Sequence, residues 1–280
     1  MVHQSPRVSS NTFRIGALDI FLKWIPIRFR ISARRVQRLI SDALARPPFA
    51  LDRVPSAGPL FSHLIYEYRS AILKNWEGAN RRLQAGKQTN IALAAPFFDG
   101  TVIRPGQIFS FYRRLGFPTE KRGFCLGYEV NGHGLGEGIG GGLCQLASAC
   151  LWVMLHAGFD VLERHHHDFD LFPDENRRVP FGTGASVFFN YRDLRLQCKS
   201  DRSAWLSVKA IENELRVGLW SDGPWPFNMR VEERGHRFEK DPSGTVYRSN
   251  DIYRIQKGGD GEFETLLWKN RARVLYPIPL

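Results

Sequence analysis

Between residues 132 and 158 the chain sets a cysteine where a flexible backbone meets a helix. Gly132, Gly134, Gly136 and Gly138 lead into Gly140-Gly141-Gly142-Leu143-Cys144-Gln145. An apolar run over 146–155 follows and stops at Ala157-Gly158. Its length and stop signal predict a buried helix with Cys144 in the first turn. A helix N-terminus carries about half a positive charge, which favours a thiolate. Cysteines placed this way have pKa values lowered from about 8.5 to as little as ~3.5–7.5. Gly140, Gly141 and Gly142 would let a substrate carbonyl come close to the main chain. Free amides of the same turn could hold the oxyanion that forms when the thiolate attacks that carbonyl, with Gln145 as one more donor. The loop could instead cradle an anion. It is no Walker loop, because Gly-Leu-Cys-Gln stands where Gly-Lys-Ser/Thr is needed. Cys125, Cys150 and Cys198 fit inert thiols, and no Cys-x-x-Cys pair supports a zinc ribbon or a thioredoxin motif.

A nucleophilic cysteine needs a base. Glu163-Arg164-His165-His166-His167-Asp168 follows the helix after a short strand-like segment. In an extended segment His165 and His167 point the same way and His166 the other. One of the pair could take the thiol proton, its tautomer fixed by a carboxylate or amide. Two other readings of the cluster stay open: a surface histidine patch, and a zinc site made of His165, His167 and Cys144 with one open position. His63, His133, His156 and His236 are isolated and read as structural.

The elements that must position these groups are legible in outline. Ser32 is a candidate N-cap, and Ile31, Val36, Leu39, Ile40, Ala43 and Leu44 recur at helical spacing until Pro47-Pro48. The opposite face carries Arg34, Arg35, Arg38 and Asp42, and an apolar segment around Phe21, Trp24 and Ile27 precedes it. Residues 53–62 read as a linker, with Pro55, Gly58 and Pro59. A second helix is expected over about 65–83, containing Tyr66, Tyr68, Ile72, Leu73 and Trp76, and a third over 90–98. From Thr101 short strands and turns take over, with Pro105-Gly106 as a turn and 108–111 alternating in strand fashion. The tail from Leu206 also alternates. Helices first and β-structure later make the class α+β.

The 280 residues include 39 Lys/Arg and 28 Asp/Glu, a net charge of +11. The excess sits in residues 1–88, which hold 15 basic against 5 acidic side chains. This charge, on an amphipathic helix, suits either an anionic membrane surface or packing on the main domain. No nucleic-acid-binding module accompanies it, so nucleic acid is not expected as a partner. Segment 15–29 is broken by Asp19, Lys23, Pro26 and Arg28, so neither a secretory signal nor a membrane span is evident. A cytoplasmic protein follows as the expectation, peripheral at the inner membrane face.

Taken together, several motifs resemble the VanW family, named for an accessory protein of vancomycin-resistance operons. They are Asn90 with Leu93-Ala94-Ala95 and Gly100; Pro105-Gly106 with Phe109-Ser110-Phe111; Gly140-Gly141-Gly142-Leu143-Cys144-Gln145; and Arg164 followed by His167. Leu151-Trp152-Val153-Met154-Leu155-His156 and Leu275-Tyr276-Pro277-Ile278-Pro279 resemble the resistance branch. The resemblance implies a cysteine-dependent L,D-transpeptidase-like acyl transfer on peptidoglycan stem peptides or a lipid-linked precursor. Cys144 would be the nucleophile and His167 the base, with Gly140, Gly141, Gly142 and Arg164 contacting substrate and no cofactor. The chain departs from the family where Gly184 precedes Ala185 in place of Asp, and where Ala147 replaces Ser. Asp168, Asp170 or Asp193 would then have to orient the histidine. The expected architecture is a basic N-terminal segment over 1–60 and one α+β domain over 61–280, its Cys144 helix packed on an antiparallel sheet carrying His167. A noncatalytic precursor-binding protein is the alternative function, and a zinc hydrolase a further one.

Overall fold

The computed structural model describes residues 27–73, 79–131, 134–167, 169–171, 179–259 and 261–278. Phe21, Trp24, Trp76, Gly132, His133, Asp168 and Pro279 therefore lie outside the described residues. The fold is α+β and built mostly of antiparallel sheets. Its centre is helix α4 (Leu143–His156), in which Leu146, Ala147, Ala149 and every residue over 150–155 are buried. A helix apolar on nearly all faces must be covered on nearly all sides. Here the cover is supplied by strands β1 (His63–Ala71) and β10 (Glu214–Ser221), by β11 (Met229–Lys240), and by helix α2 (Arg81–Phe98).

The main sheet has the order β1-β10-β9-β2, with β9 at Ala204–Ile211 and β2 at Thr101–Ile103. Its pairs are antiparallel, with Tyr68 opposite Val217 and Val217 opposite Val208. The helix expected over 65–83 is thus corrected to strand β1 followed by helix α2. Residues 64–68 form a run rich in aromatic and branched side chains, and β10 offers that run a full-length ladder. Helix α2 starts later because Asn80 caps it, its side chain accepting from the amides of Arg82 and Leu83.

A smaller sheet orders β3 (Ile108–Ser110), β8 (Arg195–Gln197) and β6 (Asp160–Glu163), and the five-residue helix α3 (Phe111–Leu115) follows β3 directly. Hairpin β4 (Leu126–Asn131) and β5 (Gly134–Ile139) leads into α4. The expected glycine loop is therefore a strand over much of its length. Gly134, Gly136 and Gly138 recur at period two and leave one face of β5 bare. The C-terminal part is a long meander of β11, β12 (Val246–Gly258) and β13 (Gly261–Val274), with the short β7 (Phe169–Asp170) parallel to β13. His167 lies in the connection between β6 and β7, not in the sheet beneath α4.

Helix α1 (Ile27–Ala45) packs on the domain through its charged face. Arg38 makes a two-pronged pair with Glu163, at 2.5 and 2.6 Å, and Asp42 pairs in the same way with Arg195, at 2.8 and 2.6 Å. Fork-on-fork pairs fix both angle and register of a docking helix. Of the two roles open to this face, Arg38 and Asp42 take up packing on the domain, while Phe29, Val36, Ile40 and Leu44 stay exposed. No helix among the described residues is long and apolar enough to cross a membrane.

Burial alone would raise the Glu163 carboxyl. Hydrogen bonds from His165 and Arg38, the Arg38 charge and the Asp193 amide outweigh it and hold the group at about 2. A depressed carboxyl stabilises the fold above its unfolded value and stops doing so as pH falls through the folded one. Urea titrations should therefore show up to about 3 kcal/mol lost between about pH 5 and pH 2 through this group. Glu163→Gln should lack that component; equal pH slopes in the two proteins would contradict the assignment.

Candidate functional site

The turn before α4 is held from two sides. Asn90 on α2 is fully buried, and its Nδ2 donates to the carbonyls of Cys125 and Gly141, both at 2.9 Å. Its Oδ1 accepts from the amide of Cys125 at 2.9 Å. One side chain thus ties α2, the approach to β4 and the glycine turn together. Gly141 lies so close to Gly127 of β4 that a Cβ on Gly141 would overlap the Gly127 carbonyl oxygen. Gly142 takes φ of 98° as the N-cap of α4, over the side chain of Lys87. Glycine is needed at both positions, at the first for space and at the second for its left-handed φ. The result puts Cys144 in the first turn of α4.

Cys144 lies at a cavity of about 380 Å³ whose walls include Arg35, Tyr112, Phe117, Glu129 and Phe189. The sulfur receives the Val187 amide at 3.5 Å and stands 3.8 Å from the Val187 carbonyl, to which the thiol can donate. Burial pushes this thiol up to about 11, against the amide of Val187; nearby Glu129 adds to the rise and Arg192 opposes it. In this resting state burial outweighs the groups that favour the thiolate. Burial also raises the Glu129 carboxyl. Tyr112 is raised well above the usual phenol range, first by burial and then by Cys144, Asp193 and Glu129. Six titratable groups, Cys144, Glu129, Tyr112, Arg35, Glu120 and Tyr128, thus share one cavity.

The residues singled out from the sequence separate into two groups. Gly140, Gly141 and Gly142 line the cavity beside Cys144. Gln145 does not face it in this arrangement: its Nε2 donates to Ala71 O at 2.8 Å and Ser70 Oγ at 3.2 Å, on β1. Arg164 is an internal clamp, donating to the carbonyls of Gly184 and Gly182 and stacking 3.9 Å from the Trp268 ring centre. His165 directs Nε2 to Glu163 at 3.0 Å. Its carbonyl accepts from Ser186, one residue before Val187, so the histidine segment runs beside the loop segment that touches the sulfur. Neither His165 nor His167 lines the cavity. Asp193 accepts from Ser110, Tyr112 and Arg195, and Asp170 from Arg248 and Tyr276. No cluster of three His, Cys, Asp or Glu suited to a metal occurs among the described residues, so the zinc site of His165, His167 and Cys144 is not assembled there.

Sequence reasoning passed over Glu129, Tyr112 and Arg35. For Glu129 a signal existed: glycines at period two on β5 leave space on that face, and a Cβ at Gly138 would run into the Glu129 carboxylate. Tyr112 and Arg35 come from distant segments that only the fold brings together.

Residues 86–220 match the family model described as VanW like protein. The chain is similar to the vancomycin B-type resistance protein VanW of Enterococcus faecalis, 26% identical over 220 residues, which are 78% of this chain and 80% of that protein. It is also similar to the uncharacterized protein YoaR of Bacillus subtilis, 25% identical over 165 residues, 58% of this chain and 50% of that one. No solved structure matches. The matched stretch contains Asn90, Tyr112, Glu129, the glycine turn and Cys144, and leaves out α1 with Arg35.

Gly141→Ala should destabilise the protein by about 1–3 kcal/mol or more, because two main chains would have to part. Gly259→Ala, where a Cβ meets nothing within 4 Å, should stay within about 0.5 kcal/mol of wild type. Urea midpoints measure both; equal stability of the two variants would refute the close approach.

Proposed function

We propose that this VanW-like chain is a thiol acyl-transfer enzyme acting on cell-wall peptides, with Cys144 as nucleophile and Glu129 as its base. The observation that carries the reading is the shared cavity: a cysteine in the first turn of a buried helix, beside a carboxyl that burial has raised. A carboxyl of raised pKa is better matched to taking and returning a proton near neutral pH. The likeness to a vancomycin-resistance protein supports a cell-wall peptide as substrate.

In the first half-reaction the Glu129 carboxylate accepts the thiol proton as Sγ bonds to a stem-peptide carbonyl carbon. The carbonyl oxygen takes the negative charge facing the amides at the start of α4. Collapse breaks the C–N bond, and Glu129 passes its proton to the departing D-alanine amine. In the second, an acceptor amine attacks the thioester carbon, the C–S bond breaks, and a proton returns to sulfur. His165 and His167 take no step here, since both stand outside the cavity lining.

A second reading has its own support. The thiol pushed up to about 11 and the aromatic walls also suit a noncatalytic protein that binds a cell-wall precursor. Intact-protein mass spectrometry after incubation with a D-alanine-terminated stem tetrapeptide separates the two. The acyl-transfer reading expects Cys144 to gain the mass of the peptide less D-alanine, with no adduct on Cys144→Ala. Glu129→Gln should form the adduct about 10²–10⁴-fold more slowly. Binding of tetrapeptide and pentapeptide without adduct or D-alanine release would leave only the binding protein.

A further inference from the structure

Arg35 differs from Arg38 and Arg195, its neighbours at this corner. Arg38 on the same helix and Arg195 opposite it each hold a carboxylate in a two-pronged pair. Arg35 has no carboxylate in ion-pair reach among the described residues, Glu129 included, and burial lowers its guanidinium from the ordinary value. Yet it is among the most restrained. Its Nε donates to Phe189 O at 3.0 Å, and the Asn190 side chain donates to its carbonyl at 2.8 Å. Its guanidinium sits 5.1, 5.3 and 5.5 Å from the ring centres of Phe117, Phe188 and Phe189. Phe117 and Phe189 are stacked on one another at 4.5 Å. The planar fork is thus held at a fixed angle in the wall of the Cys144 cavity, with donors beyond the single Nε bond.

A rigid, half-buried guanidinium with no protein counter-ion is built to receive one from a ligand. Its fork matches a carboxylate, and its pre-set orientation reduces the entropy lost on binding. Beyond the Phe189 carbonyl that takes Nε, the ring faces of the cage supply no anion to the fork.

We propose that Arg35 anchors a ligand carboxylate in the Cys144 cavity, so that helix α1, outside the family-matched stretch, is a specificity element of the site. The proposal rests on the preceding reading for the place of the ligand and needs no chemistry from Glu129. It further specifies the ligand as a peptide with a free carboxylate near the bond to be attacked.

The test uses Cys144 itself as reporter, with two alkylating reagents that differ in charge. Iodoacetate is a carboxylate and iodoacetamide its neutral counterpart; each forms a C–S bond, expels iodide and releases the thiol proton. Rates at Cys144 in the full chain are read by peptide mass spectrometry at one pH. The ratio of iodoacetate to iodoacetamide rates should fall about tenfold in Arg35→Gln. Arg35→Lys should recover part of it. Acetate should slow the iodoacetate reaction of the wild type and not that of Arg35→Gln. Arg38→Ala removes a docking pair of α1, the helix that carries the anchor, so it should lower the ratio while raising the iodoacetamide rate; Arg35→Gln should lower the ratio with the iodoacetamide rate unchanged. An unchanged ratio in Arg35→Gln, or no effect of acetate on the wild type, would overturn the proposal. Either result would leave the acyl-enzyme experiment unaffected, and a missing acyl adduct would leave this ratio standing.

Discussion

The main chains of Gly141 and Gly127 meet with no room for a side chain between them, and Asn90 bonds across the junction. The rest of the site depends on this contact. It sets where α4 begins, and therefore where the sulfur of Cys144 lies relative to the hairpin that carries Glu129. A buried amide with all three of these bonds made has nowhere else to go, because each broken bond would leave a polar group without solvent. Such a turn is rigid. The flexible glycine loop suggested by composition alone is in fact a strand followed by a tight, clamped corner.

Electrostatics in the cavity follow from its burial. Low polarizability disfavours every charged form inside it, so the thiol, the Glu129 carboxyl and the Tyr112 phenol are all shifted toward neutrality. At Cys144 the Val187 amide and Arg192 work in the opposite direction and do not outweigh burial. A resting thiol beside a carboxyl is a different device from a thiolate beside an imidazolium: in the proposed reaction the proton would move as the acyl group arrives. Helix α1 contributes the positive member of the cavity by docking backwards, its charged face inward. Two bidentate pairs and an aromatic cage outweigh the ordinary tendency to bury Val36, Ile40 and Leu44.

The sequence carried much of this and concealed the rest for identifiable reasons. Helix α4 and the place of Cys144 could be read because a glycine run, an apolar run and a stop signal are local features. The α+β class followed from the order of elements. Strand β1 was hidden: Tyr66, Tyr68 and Ile72 can be fitted to helical spacing, and only pairing with β10, some 150 residues away, decides the matter. The orientation of α1 was hidden too, because an amphipathic pattern does not show that Glu163 and Arg195 wait on the other side. His165 and His167 read as candidate bases from their neighbours in sequence; His165 directs Nε2 to Glu163, and neither lines the cavity. Glu129 and Arg35 became visible only when sheet register and helix docking brought three distant segments to one cavity.

The account stands on the coupling between Cys144 and Glu129, and the pH dependence of iodoacetamide alkylation at Cys144 tests it most directly. Wild type, Glu129→Gln and His167→Ala are compared, with peptide mass spectrometry resolving each cysteine. A buried carboxylate nearby raises the thiol, so neutralising it with Glu129→Gln should move the reactivity midpoint below about 11. His167→Ala should leave the midpoint in place. A midpoint unmoved by Glu129→Gln and shifted upward by His167→Ala would contradict the account, and would return the base to the histidine segment.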